Sequence, residues 1–504
     1  MNLHTLIYLI VLIPLCTAII IPLFKKIPNT AESISIVAGF INTILCIIVA
    51  KNIFFSAMES KITFAYINNY INFNFAVDNF GILFAILVNF LWSVTIIYAT
   101  GYMRSHNEKN QTRFYSFFAL AIFCTLGVAF SGNLFTLFMF YELLTLSTFP
   151  LVAHNLNDKT RKNVNTYIAV LVISSLTLFL SAIMLTFVYT GTTEFTSGGI
   201  FKNSSISGYT AILILLLFMF GIAKVAVMPL HKWLPAAMVA PTPVSALLHA
   251  VAVVKSGAFA FIKIVIMIFG IDYLSDVVKI TMNGVNWLVV IPSITIIWAS
   301  IIALFQDNLK RRLAYSTISQ LSYIVLATVV LTPISLDGAV YHLFAHAFGK
   351  ITLFFAAGSI IVLAHKENVS ELGGIAKKMP ITMFAFTVGA FSMIGLPFTI
   401  GFVSKVYILK GIIESKQIFP LIVIILSTIL NALYFIPIIF KAYSTEIQPA
   451  IAKNIDTEDR FEDHYNKDHS GHHFGKSMPM DIAMIITSSI ILLVGTASIV
   501  LEIF

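Results

Sequence analysis

Gly221-Ile222-Ala223-Lys224-Val225-Ala226-Val227-Met228-Pro229 closes an apolar run that begins near residue 209. A bilayer is crossed by about 20 predominantly apolar residues, so the run is long enough, yet it carries a lysine and then a proline. Proline donates no main-chain hydrogen bond and frees the carbonyl of Val225, so a helix kinks or breaks there. A lysine one turn from a broken helix at membrane depth is an arrangement in which freed backbone groups line a wet cavity. The competing reading is a lysine that snorkels toward Lys232. Either way, the stretch predicts a membrane-spanning helix that is interrupted.

Working outward, apolar runs of this kind fill most of the chain. Of 504 residues, 58% are hydrophobic and 11% charged, and the mean hydropathy is +0.92. Ordinary globular domains carry about 25% charged residues, which excludes a cytosolic catalyst, a secreted disulfide scaffold and a nucleic-acid binder. We count fourteen candidate spans, near 3–24, 33–50, 80–104, 113–131, 133–154, 164–190, 209–231, 242–267, 286–305, 310–331, 337–364, 380–412, 418–441 and 479–501. The first is too long and too weakly charged at its start for a typical signal peptide and is read as a retained span. Long Gly/Ser linkers are missing, so residues 1–504 are read as one all-α, polytopic integral-membrane domain. Cys16, Cys46 and Cys124 sit singly in apolar runs, which argues against an iron–sulfur or thiol-redox centre in this subunit.

The loop cations orient the spans. With both termini outside, the inner loops hold Lys25, Lys26, Arg104, Lys109, Arg113, Lys159, Arg161, Lys162, Lys232, Lys310, Arg311, Arg312, Lys366, Lys377, Lys378, Lys441, Lys453, Arg460, Lys467 and Lys476. The outer loops hold only Lys51, Lys61, Lys202, Lys279 and Lys416. The net charge of +8 is therefore read as a membrane-orientation signal. The polar segment 442–478 between the last two spans contains a His-rich stretch, 464–474. Its neighbours Glu458, Asp459, Glu462 and Asp463 favour a solvated loop over a metal site.

Six lysines remain inside spans: Lys224, Lys255, Lys263, Lys350, Lys405 and Lys410, with Glu142 the only acid deep in one. A charge at mid-bilayer costs roughly 3 kcal/mol or more, so such groups face a bundle interior or a wet cavity. Glu142 is too short to snorkel, and reads as a proton site, a lysine partner or a neutral acid bonded in the core. Lys255 is roughly 18 Å from either edge at 1.5 Å per residue. His342, His346 and Lys350 recur every four residues, and each such step drifts only about 40°, so they share one helix face. Lys405 follows Gly395, Pro397 and Gly401 in a hydrophobic stretch too long for one straight span, so a second break is expected there. Lys263, Lys405 and Lys410 can also be read as snorkelling to an interface. No phosphate-cradling loop, dinucleotide fingerprint or Ser/His/Asp constellation is present, and no catalytic, cofactor or metal residue is assigned.

Several ordered blocks resemble a known family: Pro229-Leu230-His231-Lys232-Trp233-Leu234-Pro235-Ala236-Ala237-Met238, Ala240-Pro241-Thr242-Pro243-Val244-Ser245-Ala246-Leu247-Leu248-His249-Ala250, Leu309 to Leu321, His346-Ala347-Phe348-Gly349-Lys350, and Gly395-Leu396-Pro397 to Lys405. These resemble the proton-conducting, antiporter-like subunits shared by multisubunit sodium/proton antiporters, respiratory complex I and membrane-bound hydrogenases. The resemblance implies fourteen helices with two inverted five-helix repeats, near 113–267 and 286–441, each with a discontinuous helix carrying Lys224 or Lys405. It also implies a Glu142–Lys224 pair, a central relay of Lys255 and Lys350 with His249, His342 and His346 nearby, and an exit at Lys405. The length is similar to that of the D-type subunit of monovalent cation/proton antiporters, although the Ala-Pro-Thr-Pro-Val-Ser-Ala-Leu-Leu-His wording leans toward larger members. Ending after the fourteenth span is expected to leave out the lateral helix of the largest complex I member.

Three functions compete at this point. The first is an ion-translocating subunit of a Na⁺ (or other monovalent cation)/proton antiporter, with other integral-membrane subunits as partners, in the cell inner (plasma) membrane. The second is a proton-pumping module of a redox complex, an NADH–quinone oxidoreductase or hydrogenase. The third, a structural scaffold, makes six intramembrane lysines and a glutamate hard to explain.

Overall fold

The chain is described by a computed structural model over residues 2–56, 60–66, 72–106, 108–204, 206–281, 285–444 and 477–503. The His-rich stretch 464–474 lies outside the described residues. Helices and one two-stranded ribbon follow in the order α1 (Leu3–Phe24), α2 (Asn29–Phe55), β1 (Ser60–Tyr66), β2 (Asn72–Val77), α3 (Asn79–Ser105), α4 (Gln111–Ala129), α5 (Leu134–Val152), α6 (Asp158–Thr190) and α7 (Gly208–Gly221). Then come α8 (Thr242–Phe269), α9 (Ile271–Thr281), α10 (Trp287–Phe305), α11 (Leu309–Val329), α12 (Pro333–Ala364), α13 (Pro380–Ile394), α14 (Ile400–Glu414), α15 (Ile418–Tyr443) and α16 (Met478–Val500). Among the described residues, eleven helices are long and apolar enough to cross a membrane, which makes this a mostly helical, polytopic membrane fold.

The remaining expected spans differ in an informative way. The run 209–231 is helical only to Gly221. The run 310–331 is one helix, α11, but Lys310, Arg311 and Arg312 occupy its first turn and Ser316, Thr317, Ser319, Gln320 and Ser322 are buried along it. Its polar content marks a helix surrounded by other helices rather than by lipid. The run 380–412 is two helices, α13 and α14, separated by residues 395–399.

Apolar side chains such as Leu146, Phe305, Phe384 and Phe440 stay exposed on the outer helix faces, where a bilayer would cover them. The interior is knit by aromatic contacts. Tyr98 of α3 stacks on Phe355 of α12 with ring centroids 4.1 Å apart and donates a 2.8 Å hydrogen bond to its carbonyl. The ribbon β1–β2 pairs antiparallel and leads into α3, whose first turn is capped by Asp78 accepting from Gly81 N at 2.6 Å.

Candidate functional site

Main-chain groups released by a helix end need partners, and the lysines are built around this requirement. At the end of α7 the chain turns through Ala223–Val225 and reverses at Ala226, φ +57°. The freed Ala223 carbonyl accepts from Trp233 Nε1 at 2.9 Å, Lys224 N donates to the Tyr141 hydroxyl at 3.2 Å, and Met228 N donates to Thr295 Oγ1 at 3.2 Å. Lys224, fully buried, sends its ammonium to α5: it donates to the Tyr141 carbonyl at 2.9 Å and to Thr145 Oγ1 at 2.6 Å, 3.2 Å over the Tyr141 ring. Glu142 is on the same helix and half-buried, but it makes no ion pair with Lys224, and its Oε1 is buried without a protein partner. The two expected partners are neighbours that do not touch.

The second break repeats the chemistry. α13 stops at Gly395, φ +87°, and Lys405 on α14 reaches back to cap it. Its Nζ donates to the carbonyls of Met393 at 3.0 Å and Ile394 at 2.7 Å, with Thr428 Oγ1 at 3.5 Å and the Tyr323 ring centroid at 5.2 Å. A cation at a helix C-terminus also meets the negative end of the helix dipole. Neither Lys224 nor Lys405 snorkels; both are held inside.

Between the breaks lies a buried polar row. The Lys255 ammonium on α8 contacts Nδ1 of His346 on α12. One turn along, His342 Nδ1 lies 2.9 Å from Ser404 Oγ, and its ring stacks on Tyr323 at 5.5 Å and faces His346 at 6.3 Å. In the other direction Lys350 donates to Ser316 Oγ at 2.7 Å and to the Leu313 carbonyl at 3.2 Å, and Tyr434 also donates to Ser316 at 2.9 Å. All these side chains are buried. Nε2 of both His342 and His346 lacks a protein partner, and buried polar atoms of this kind are ordinarily met by ordered water. His249 is in a π-helical turn of α8, Leu247–Val251, against the Phe354 ring at 4.7 Å, with both ring nitrogens unpartnered. The structure thus joins Lys255 to His346 and places His342 beside the Lys405 break, and it gives His249 no direct polar contact.

Two lysines behave otherwise. Lys263 is buried, pairs with Asp78 Oδ2 at 2.9 Å and donates to the Ser131 carbonyl at 2.9 Å, so it ties α8 to the start of α3. Lys410 lies 5.3 Å from the Tyr407 ring. Sequence reasoning missed Tyr141, Thr145, Ser316, Tyr323, Ser404 and Thr428 as lysine and histidine partners. The available signal was a hydroxyl residue one turn from a charge inside a span, such as Thr145 after Glu142.

A cavity of about 670 Å³ opens among Tyr102, Glu108, Lys162, Lys232, Lys310 and Glu367, and it reaches Thr242 at the start of α8. Between the lining residues Gln306 and Asn308, Asp307 accepts from Ser370 Oγ at 2.7 Å and Ser370 N at 2.9 Å. Those bonds hold the carboxyl below its usual range. The lining comes from loops that the cation count groups on one side.

The family model described as NADH:quinone oxidoreductase/Mrp antiporter, TM, matches residues 131–431, and that described as NADH-Ubiquinone oxidoreductase (complex I), chain 5 N-terminus, matches 65–115. The chain is 33% identical over 362 residues to NADH-quinone oxidoreductase subunit N of Desulforudis audaxviator (strain MP104C), covering 71% of this chain and 70% of that one. It is 30% identical over 439 residues to the putative antiporter subunit mnhA2 of Staphylococcus aureus (strain USA300 / TCH1516), covering 82% of this chain but 52% of that one. A chain of the membrane-bound sulfane sulfur reductase, an archaeal respiratory membrane complex, shares the fold with a TM-score of 0.81 at 22% identity, over 98% of this chain and 94% of that chain. With more than half its length inside one family model, the chain belongs to the NADH:quinone oxidoreductase/Mrp antiporter membrane-subunit family.

Proposed function

We propose that the chain is the ion-translocating subunit of a multisubunit monovalent cation (Na⁺)/proton antiporter, moving protons through Glu142, Lys224, His249, Lys255, His342, His346, Lys350 and Lys405. The observation that carries this reading is the contact of Lys255 with His346 deep in the bundle, flanked on either side by a buried lysine seated on an interrupted helix. A buried ammonium keeps its proton beside a carboxylate and loses that support when the two part. Lys224 turned onto Tyr141 and Thr145, away from Glu142, has the geometry of the parted state.

The paired surroundings support two inverted repeats near 113–267 and 286–441, and the eleven long apolar helices together with the interrupted runs 209–231 and 380–412 and the polar helix α11 support a count of fourteen spans. Lys224 lies over Tyr141 with Thr145 beside it, and Lys405 lies over Tyr323 with Thr428 beside it. The partners are other integral-membrane subunits, and the location is the plasma membrane with both termini outside. Lys224→Ala is expected to abolish cation-driven proton movement in vesicles while the complex still assembles; wild-type rates in that variant would sink the scheme.

A second reading keeps the same row but drives it by electron transfer. The match to an NADH-quinone oxidoreductase subunit over 70% of that protein favours it. Purification in mild detergent separates the two: partners carrying flavin or iron absorbance mean a redox-driven pump, and only colourless membrane subunits mean the antiporter.

A further inference from the structure

Gln320 of α11 is fully buried, and neither Nε2 nor Oε1 of its amide has a protein partner. Leaving a whole amide unpaired in an apolar interior is unfavourable, so its place in the bundle needs a reason. The pairing of α11 with α12 fixes that place. The two helices are consecutive and run antiparallel, with Lys350 bonded to Ser316 and the His342 ring stacked on Tyr323. Gln320 lies four residues beyond Ser316 and three before Tyr323, on the same helix face. His346 lies midway between Lys350 and His342 on its own helix. Gln320 therefore stands at the height of His346, whose Nδ1 faces Lys255 and whose Nε2 is buried without a partner.

We propose that Gln320 is a positioning residue of the proton row, holding the water that links His346 to the Lys350–Ser316 site. The proposal rests on the reading above, that protons pass along this row. An amide presents a donor and an acceptor side by side and does not itself titrate. It can thus hold water in either orientation as a proton passes, without trapping the proton. A leucine of nearly the same volume would pack the same space and hold no water. No bond to Gln320 is made or broken in the process.

The test uses the assembled complex in vesicles, with collapse of a preset proton gradient on adding Na⁺ or K⁺ as the readout. Gln320→Leu is expected to assemble and to resist heat about as well as wild type, because leucine packs the same space and needs neither the water nor a polar partner. Its exchange rate should fall roughly tenfold or more, the scale of one buried hydrogen bond. Gln320→Asn keeps an amide donor and acceptor that do not titrate, and should retain more exchange than Gln320→Leu. Wild-type exchange in Gln320→Leu, with Lys224→Ala inactive, overturns the role of Gln320 and leaves the proton row standing. Equal loss in Gln320→Leu and Gln320→Asn marks a packing residue and overturns it too. Wild-type exchange in Lys224→Ala overturns the row itself.

Discussion

Lys224, Lys405 and Lys263 are three buried ammonium groups stabilised in three ways: by a helix carbonyl with an aromatic face, by the open end of a helix, and by a carboxylate. The cost of burying charge made all three legible in the sequence as exceptions. What each one touches was not legible, because Tyr141, Thr145, Thr428 and Asp78 reach their lysines only through packing between helices. Glu142 shows the same limit, since the expected pair is adjacent in the fold but unbonded. The Asp78–Lys263 pair permits a clean test. Removing one partner of a buried ion pair costs about 3–5 kcal/mol, while neutralising both is often nearly free. Asp78 is partly open to solvent, with a side-chain exposure of 22%, so the effect belongs near the low end or below it. Asp78→Asn keeps an acceptor for Gly81 N and should destabilise the protein by about 2 kcal/mol, and adding Lys263→Met should restore most of that. Thermal unfolding of the two singles and the double in detergent would show it; an additive double variant would contradict the coupling.

At the scale of elements, the two breaks differ in how they are encoded. The one at 395–399 is local: Gly395 takes φ +87° and Pro397 cannot continue a helix, and both are visible in the sequence. The one after Gly221 is tertiary. Pro229 signals trouble, yet the helix ends eight residues earlier, where Ile222 to Val225 contain neither glycine nor proline. The decisive bonds come from elsewhere, from Trp233, Tyr141 and Thr295 to Ala223, Lys224 and Met228. A local break should therefore respond to a local change. Gly395→Ala must hold a Cβ in the left-handed region, at a cost of about 1–2 kcal/mol. That Cβ would also lie 2.7 Å from Lys405 Cδ, so the lysine has to move off the α13 carbonyls. The variant should melt earlier and lose more exchange per assembled complex than its stability alone explains. Unchanged exchange per complex would show that the seat of Lys405 does not matter to transport.

Across the whole molecule, the buried row runs from the α7 break through Lys255 and His346 to the α14 break, and the cavity of about 670 Å³ opens among loops that carry the excess of cations. The excess predicts that this side faces the cytoplasm, and the cavity is then expected to serve as an inner mouth above α8. Eleven of the fourteen expected spans could be read from hydropathy because lipid-facing helices stay apolar on their outer faces, whereas the cavity is assembled from several separate loops and has no signature in any one of them. Both ideas can be tested on one pair of variants, in a background with Cys16, Cys46 and Cys124 replaced. Arg311→Cys lies in the cavity wall, and Lys202→Cys lies in an opposite loop; both positions are exposed. A membrane-impermeant maleimide should label Lys202→Cys in intact cells and Arg311→Cys only after permeabilisation. The reverse pattern would invert the orientation. Once attached, the bulky label at residue 311 should slow exchange by obstructing the mouth, while the label at 202 should leave it unchanged. Equal rates with and without label at 311 would mean that protons reach the row by another entrance.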